Sequence, residues 1–149
     1  MAIDLFSCSE KGNQNLGLMS EFPKELPGSF WGLTTYFNPA KYGNKIENYR
    51  KFREDSKRQG LNLLCVELAF NNEPFELTKN DADVLVQVRS NSIMWQKERL
   101  LNIGLKHLPK DCDKVAWIDC DIIFKNEYWI EETCKLLEKY IVINYFLLQ

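Results

Sequence analysis

The stretch "LNLLCVELAF", Leu61 to Phe70, narrows most what this chain can fold into. Strands with one wet face alternate apolar and polar residues. A near-continuous apolar run of strand length, broken after Asn62 only by Glu67, is instead the pattern of a strand in a parallel sheet covered on both faces. The rest of the chain supplies the covers. "FWGLTTYF", Phe30 to Phe37, is rich in aromatic and β-branched residues, stops at Asn38-Pro39, and reads as a first strand. "NKIENYRKFREDSKRQG" follows with Ile46, Tyr49 and Phe52 three apart, Asn44 placed as an N-cap and Gly60 as a stop, which predicts an amphipathic helix.

Beyond Leu61 to Phe70, the second strand, the same alternation continues. "DVLVQVRS", Asp83 to Ser90, predicts a third strand, and "SIMWQKERLLNIGLKHLP" a second helix ended by Pro109, with His107 in its last turn. "KVAWIDCDIIF", Lys114 to Phe124, predicts the fourth strand. Asn126 is placed to cap a third helix, whose early glutamates and late lysines suit the helix dipole. "YIVINYF" then reads as a fifth strand. Strand and helix in turn predict an α/β fold, a mostly parallel sheet with helices on both faces. Residues 1–28, punctuated by Gly and Pro, predict an irregular N-terminal arm, and 29–149 a single domain. The hydrophobic last strand has no helix after it, an arrangement expected of a chain truncated there or of one whose edge is covered by a partner chain.

Charge and cysteine content narrow the function. Nineteen basic against 21 acidic side chains leave a net charge of -2, so no bulk field draws nucleic acid or anionic lipid to this protein. The N-terminus lacks the pattern of a secretory signal, and the final apolar run falls short of the roughly 20 residues a membrane span requires. A cytoplasmic location without a membrane span is the expectation. The five cysteines contain no C-x-x-C pair and are read as reduced, with Cys120 packing into the core.

Against that background two carboxylates stand out. Asp-x-Asp occurs three times, at Asp81/Asp83, Asp111/Asp113 and Asp119/Asp121. The first pair precedes a strand and the second lies in a polar turn, so both read as turn and capping chemistry. The third follows Val115 to Ile118, where a strand leaves the sheet, and open α/β sheets bind ligands outside those carboxyl ends. Alternation along an extended chain would put both aspartates on one side. Neighbouring carboxylates repel, and two kinds of relief are available: a basic side chain or backbone donors, or a hard divalent cation such as Mg2+ or Mn2+.

Through "SIMWQKERLLNIGLKHLPKDCDKVAWIDCDIIF" and the strands before it, the chain from about Phe30 to Phe146 resembles the nucleotide-sugar-binding half of GT-A type glycosyltransferases, including the family 2-like proteins. Asn102 and Gly104 are similar to that family's "RN-x-G" helix, with Leu101 where the arginine is usual. The resemblance implies a UDP- or GDP-sugar donor held through Mn2+ or Mg2+. It implies Asp121 as direct metal ligand, and Asp119 on the ribose or on the metal through water. Thr34, Thr35, Tyr36 and Phe37 would form the nucleotide loop, and Glu67 would accept hydrogen bonds from base or ribose. Arg89 and Lys97 are the basic residues near the second helix that can approach phosphates. The family's acceptor half supplies the base of inverting members. This chain ends before that half, so weak or absent transfer is the expectation for 1–149, and the acceptor is unknown. Two alternatives are a nucleotide-binding remnant without catalysis and a haloacid-dehalogenase-type phosphatase with Asp119 as nucleophile. The latter's aspartates belong to its first strand and usually precede Gly-Thr, whereas "DCDIIF" comes late and lacks it.

Overall fold

The computed structural model describes residues 25–94 and 96–144. Four strands, β1 (Ser29–Phe37), β2 (Asn62–Phe70), β3 (Val84–Ser90) and β4 (Cys112–Trp117), form one sheet in the order β3-β2-β1-β4, and every pairing is parallel. Three helices accompany them: α1 (Gly43–Arg58), α2 (Gln96–Leu105) and α3 (Trp129–Lys139). The expected α/β class with both faces covered is what is observed.

Which helix covers which face follows from the period-two alternation of the strands. Phe30 on β1 and Leu63 on β2 point to the face that holds Phe52 of α1 and Trp129 of α3. Leu33 with Leu64, Val66, Leu68 and Phe70 point to the other, beneath Leu100 and Leu101 of α2. Leu33, Leu63, Leu64 and Val66 have no exposed surface, and each contributes about 1.5–3 kcal/mol by leaving water. A third apolar cluster, Tyr36, Tyr49, Cys65, Leu77 and Ala82, extends the α1 face toward β3. There no helix lies between β2 and β3, and residues 71–83 provide the cover instead.

Helix boundaries show what local chemistry controls. Gly60 adopts φ +80 just past α1, and its N–H donates to Lys57 O, as a C-terminal stop requires. Asn44, in contrast, does not cap α1. The cap position is Tyr42, whose N–H donates to Asn38 Oδ1 while Asn38 Nδ2 donates back to Tyr42 O, closing the loop one turn earlier. Asn126 accepts from Tyr128 N at 2.9 Å, shaping the turn into α3 rather than capping its first residue. Gly104 has a packing reason: a Cβ there would collide with Leu33 Cδ1 and lie 3.1 Å from Val66 Cγ2, so its absence lets α2 approach the sheet.

Two expected strands differ. β4 ends at Trp117, not Phe124, and only one further bond, Ile118 N to Leu33 O, follows the sheet. The residues beyond it pack elsewhere: Ile122 and Phe124 join the cluster beneath α1 and α3, and Phe124 stacks on Trp129 at 4.0 Å. Of the expected fifth strand, 140–144 is irregular apart from an isolated bridge at Asn144, and 145–146 lie outside the described residues. Of the N-terminal arm, only 25–28 are described. Lys114 Nζ fastens that segment, donating to Leu26 O at 2.6 Å and Gly28 O at 2.7 Å.

Candidate functional site at the carboxyl edge of the sheet

The strand order creates one special place. From β1 the chain proceeds to β2 and β3 on one side, then returns through α2 to β4 on the other, so the strand order reverses at β1. A crevice at such a topological switch is where open α/β sheets bind ligands. β1 delivers Phe37 and Asn38 to this edge, and β4 delivers Asp119, Cys120 and Asp121.

The two aspartates lie in a turn, not in a strand, closed by Ile122 N donating to Asp119 O at 3.3 Å. The alternation expected to align them therefore does not apply; the turn brings them to the same edge instead. Cys120 between them packs against the clusters of both α1 and α3, and burial pushes its thiol up to about 11, as a core cysteine should behave. Cys65, Cys112, Cys120 and Cys134 are all free thiols.

Asp119 is half-buried and its Oδ1 accepts from Lys97 Nζ, which reaches across from the first turn of α2. Asp121 is exposed and makes no hydrogen bond or ion pair among the described residues. One carboxylate is thus relieved by an ammonium and the other is left to solvent. The other Asp-x-Asp pairs behave as turn and anchoring residues. Asp81 accepts from Thr78 N and Oγ1, Asp83 from Arg53 and Leu63 N, and Asp113 from Gly28 N.

Other residues expected at the site are distributed differently. Thr34 is fully buried and its hydroxyl has no hydrogen-bond partner among the described residues. Thr35 is half-buried on the opposite side of β1. Tyr36 is buried and donates its hydroxyl to Glu76; burial and that carboxylate raise its pKa well above the ordinary tyrosine range. Glu67 is buried and fully engaged: it accepts from Glu76 N at 2.5 Å, Leu77 N at 3.1 Å and Gln87 Nε2 at 2.8 Å. Its carboxylate holds the 71–83 segment against β2 and β3. Arg89 donates to Asn71 O and Glu73 O and lies 4.4 Å over the Phe75 ring, on the edge strand two strands away from β4's neighbour β1. The fold brings Phe37, Lys97, Asp119 and Asp121 to the switch edge and leaves Arg89 apart.

One residue at this edge escaped the sequence reading. Lys45, in the first turn of α1, holds its ammonium 5.2 Å from the centre of the Phe37 ring, near enough to Cys120 to bear on its thiol. On a charged amphipathic helix it reads as a solvent-facing lysine; only the exit of β1 beside the start of α1 identifies it.

Among the described residues no group of three or more His, Cys, Asp or Glu is arranged to hold a metal ion. The donor set at Asp119 and Asp121 is two carboxylates. Mg2+ is commonly held by one or two carboxylates, with water and phosphate oxygens completing its shell, so the residues present suit a shared rather than a wholly protein-made site. No helix among the described residues is long and apolar enough to cross a membrane.

Fold and edge together define a class: a parallel α/β domain with acidic and basic side chains gathered at the switch between β1 and β4. Comparison with protein-family models, with curated proteins and with solved structures finds no match for this chain.

Proposed function

We propose that this domain binds a nucleotide-diphospho-sugar, UDP- or GDP-linked, through a divalent cation at Asp119 and Asp121, as the donor half of a GT-A type glycosyltransferase. The observation that carries the reading is the placement of the Asp119–Asp121 turn at the carboxyl end of β4 beside β1, with Asp121 unpaired among the described residues. Asp121 would hold Mn2+ or Mg2+ directly, and Asp119 would support it through water or meet the ribose. The cation supplies neutralisation of the charge that develops on a departing diphosphate. The chain's own share is positional: the turn presents the carboxylates, Phe37 offers an aromatic face at the end of β1, and Lys45 and Lys97 lend positive charge beside the anion.

A second reading is favoured by the Lys97–Asp119 ion pair. An aspartate already neutralised by lysine is stable without any cation, as in a domain that keeps the fold but has no donor site. Titration calorimetry with UDP and GDP, with and without Mn2+, separates the two. Binding that needs Mn2+ and is lost in Asp121→Ala supports the donor site; absence of binding in both conditions supports the remnant. A covalent phosphoryl adduct on Asp119 would instead revive the phosphatase alternative.

A further inference from the structure

We propose that β3 is a pairing edge for a second copy of this chain: two β3 strands join antiparallel about a twofold axis at Val86, making one continuous sheet across both copies. This is independent of the donor-site reading.

β3 ends the strand order, and no strand pairs with its outer side among the described residues. Asp83 N donates inward to Leu63 O, so alternation turns the backbone groups of residues 85, 87 and 89 toward β2 and those of Val84, Val86 and Val88 outward. Each of these valines thus offers a donor and an acceptor that only water or another strand can satisfy. Edges of this kind are ordinarily blunted by charge, proline, a bulge or brevity. The opposite edge, β4, is blunted: it has six residues, contains Asp113 and Lys114, and meets β1 across a register shift between Ser29 and Phe30. β3 is not. Its register with β2 runs unbroken from Val84 to Ser90, and no proline or charge lies between Val84 and Val88. The three valine side chains are only half-buried at the rim of the cluster beneath α2, so they have apolar surface left to cover.

Register selects the occupant. One antiparallel register engages the outward groups of all three valines with the same three of a second copy: Val86 faces the partner's Val86, and Val84 faces the partner's Val88. These are β-branched pairs, which suit neighbouring strands. In the same register Leu85 meets the partner's Gln87 and Arg89 meets the partner's Asp83. Asp83 and Arg89 are both exposed, so opposite charges face one another and no like charges do. The contact is self-complementary and closes at two copies.

The test is sedimentation velocity on the full chain from about 1 to about 100 µM, where a modest interface exchanges. The mass should rise from one chain and level at two. Val86→Lys sets two ammonium groups across the axis, and Val86→Pro removes an outward N–H that β2 does not use; each should weaken the dissociation constant about tenfold or more with wild-type circular dichroism. Val86→Cys should form a disulfide-linked dimer in oxidised glutathione, whereas Val88→Cys, which faces residue 84 and not its own counterpart, should not exceed the wild type. The cysteine pair adds no edge charge and no proline, so it decides the matter if either other variant unfolds. A wild type that stays one chain in mass, because water or another segment covers β3, overturns the proposal. So does a mass that climbs past two chains, a dimer that survives both Val86→Lys and Val86→Pro, or crosslinking through Val88→Cys and not Val86→Cys.

Discussion

At the scale of single residues, polar groups in this domain divide into those consumed by the fold and those left at its edge. Glu67 belongs to the first kind. Its two oxygens satisfy two backbone N–H groups and one amide, all supplied by residues 76, 77 and 87. Glu67→Ala would leave these donors buried and unpaired, and is expected to lower the free energy of unfolding by about 2–3 kcal/mol in urea titration. Glu67→Gln should restore part of the loss. Nucleotide affinity scaled to the folded fraction should be unchanged, because this side chain faces the 71–83 segment. Gly104 is a second case. Gly104→Ala pushes a methyl into Leu33 and toward Val66, and a loss of about 1–3 kcal/mol is expected in the same titration despite alanine's better helix propensity.

At the scale of elements, attachment of the 71–83 segment to α1 and β2 depends on charge. Arg53 is 7% exposed and donates to both oxygens of Asp83, at 3.1 and 2.8 Å, while Leu63 N also donates to Asp83. Burial alone would raise the Asp83 carboxyl, but the Arg53 hydrogen bonds, the Leu63 N–H and the Arg53 charge outweigh it and hold the pKa below the usual range. A depressed carboxyl adds stability that is fully present above its unfolded value of about 3.9 and disappears as pH falls through the folded value. Thermal unfolding followed from pH 6 downward should therefore show an acid loss below about pH 4, and Asp83→Asn should flatten that limb while lowering stability at pH 6.

Most elements were legible because burial leaves a pattern: a near-continuous apolar run for the strand carrying Leu64, and a spacing of three for the helix carrying Ile46, Tyr49 and Phe52. The end of β4 was not. Ile122 and Phe124 alternate like strand residues, yet they pack on Trp129, a partner the local pattern does not reveal. The candidate site was legible at Asp119 and Asp121 through their place after an apolar run. It was illegible at Tyr36 and Glu67, whose partners arrive from a segment with no periodic signal, and at Lys45, whose position depends on where a neighbouring strand ends.

At the scale of the whole molecule, a net charge of -2 supplies no global field to draw an anion, so the proposed UDP binding would rest on the local cluster at the switch edge. Raising NaCl from 50 to about 150 mM shortens the screening length from about 14 to about 8 Å, still longer than the separation of charges in direct contact. UDP affinity measured by calorimetry with Mn2+ is accordingly expected to change less than about tenfold over that range, whereas chelating the metal should abolish it.

The most direct measurement is where a bound cation sits. With isotope-labelled protein and saturating UDP, substoichiometric Mn2+ should broaden the amide resonances of Phe37, Ile118 and the Asp119–Ile122 turn first, and leave those of Arg89 and the β3 edge sharp. Broadening centred on another part of the surface, or none in the turn, would contradict a metal-held nucleotide at the switch between β1 and β4.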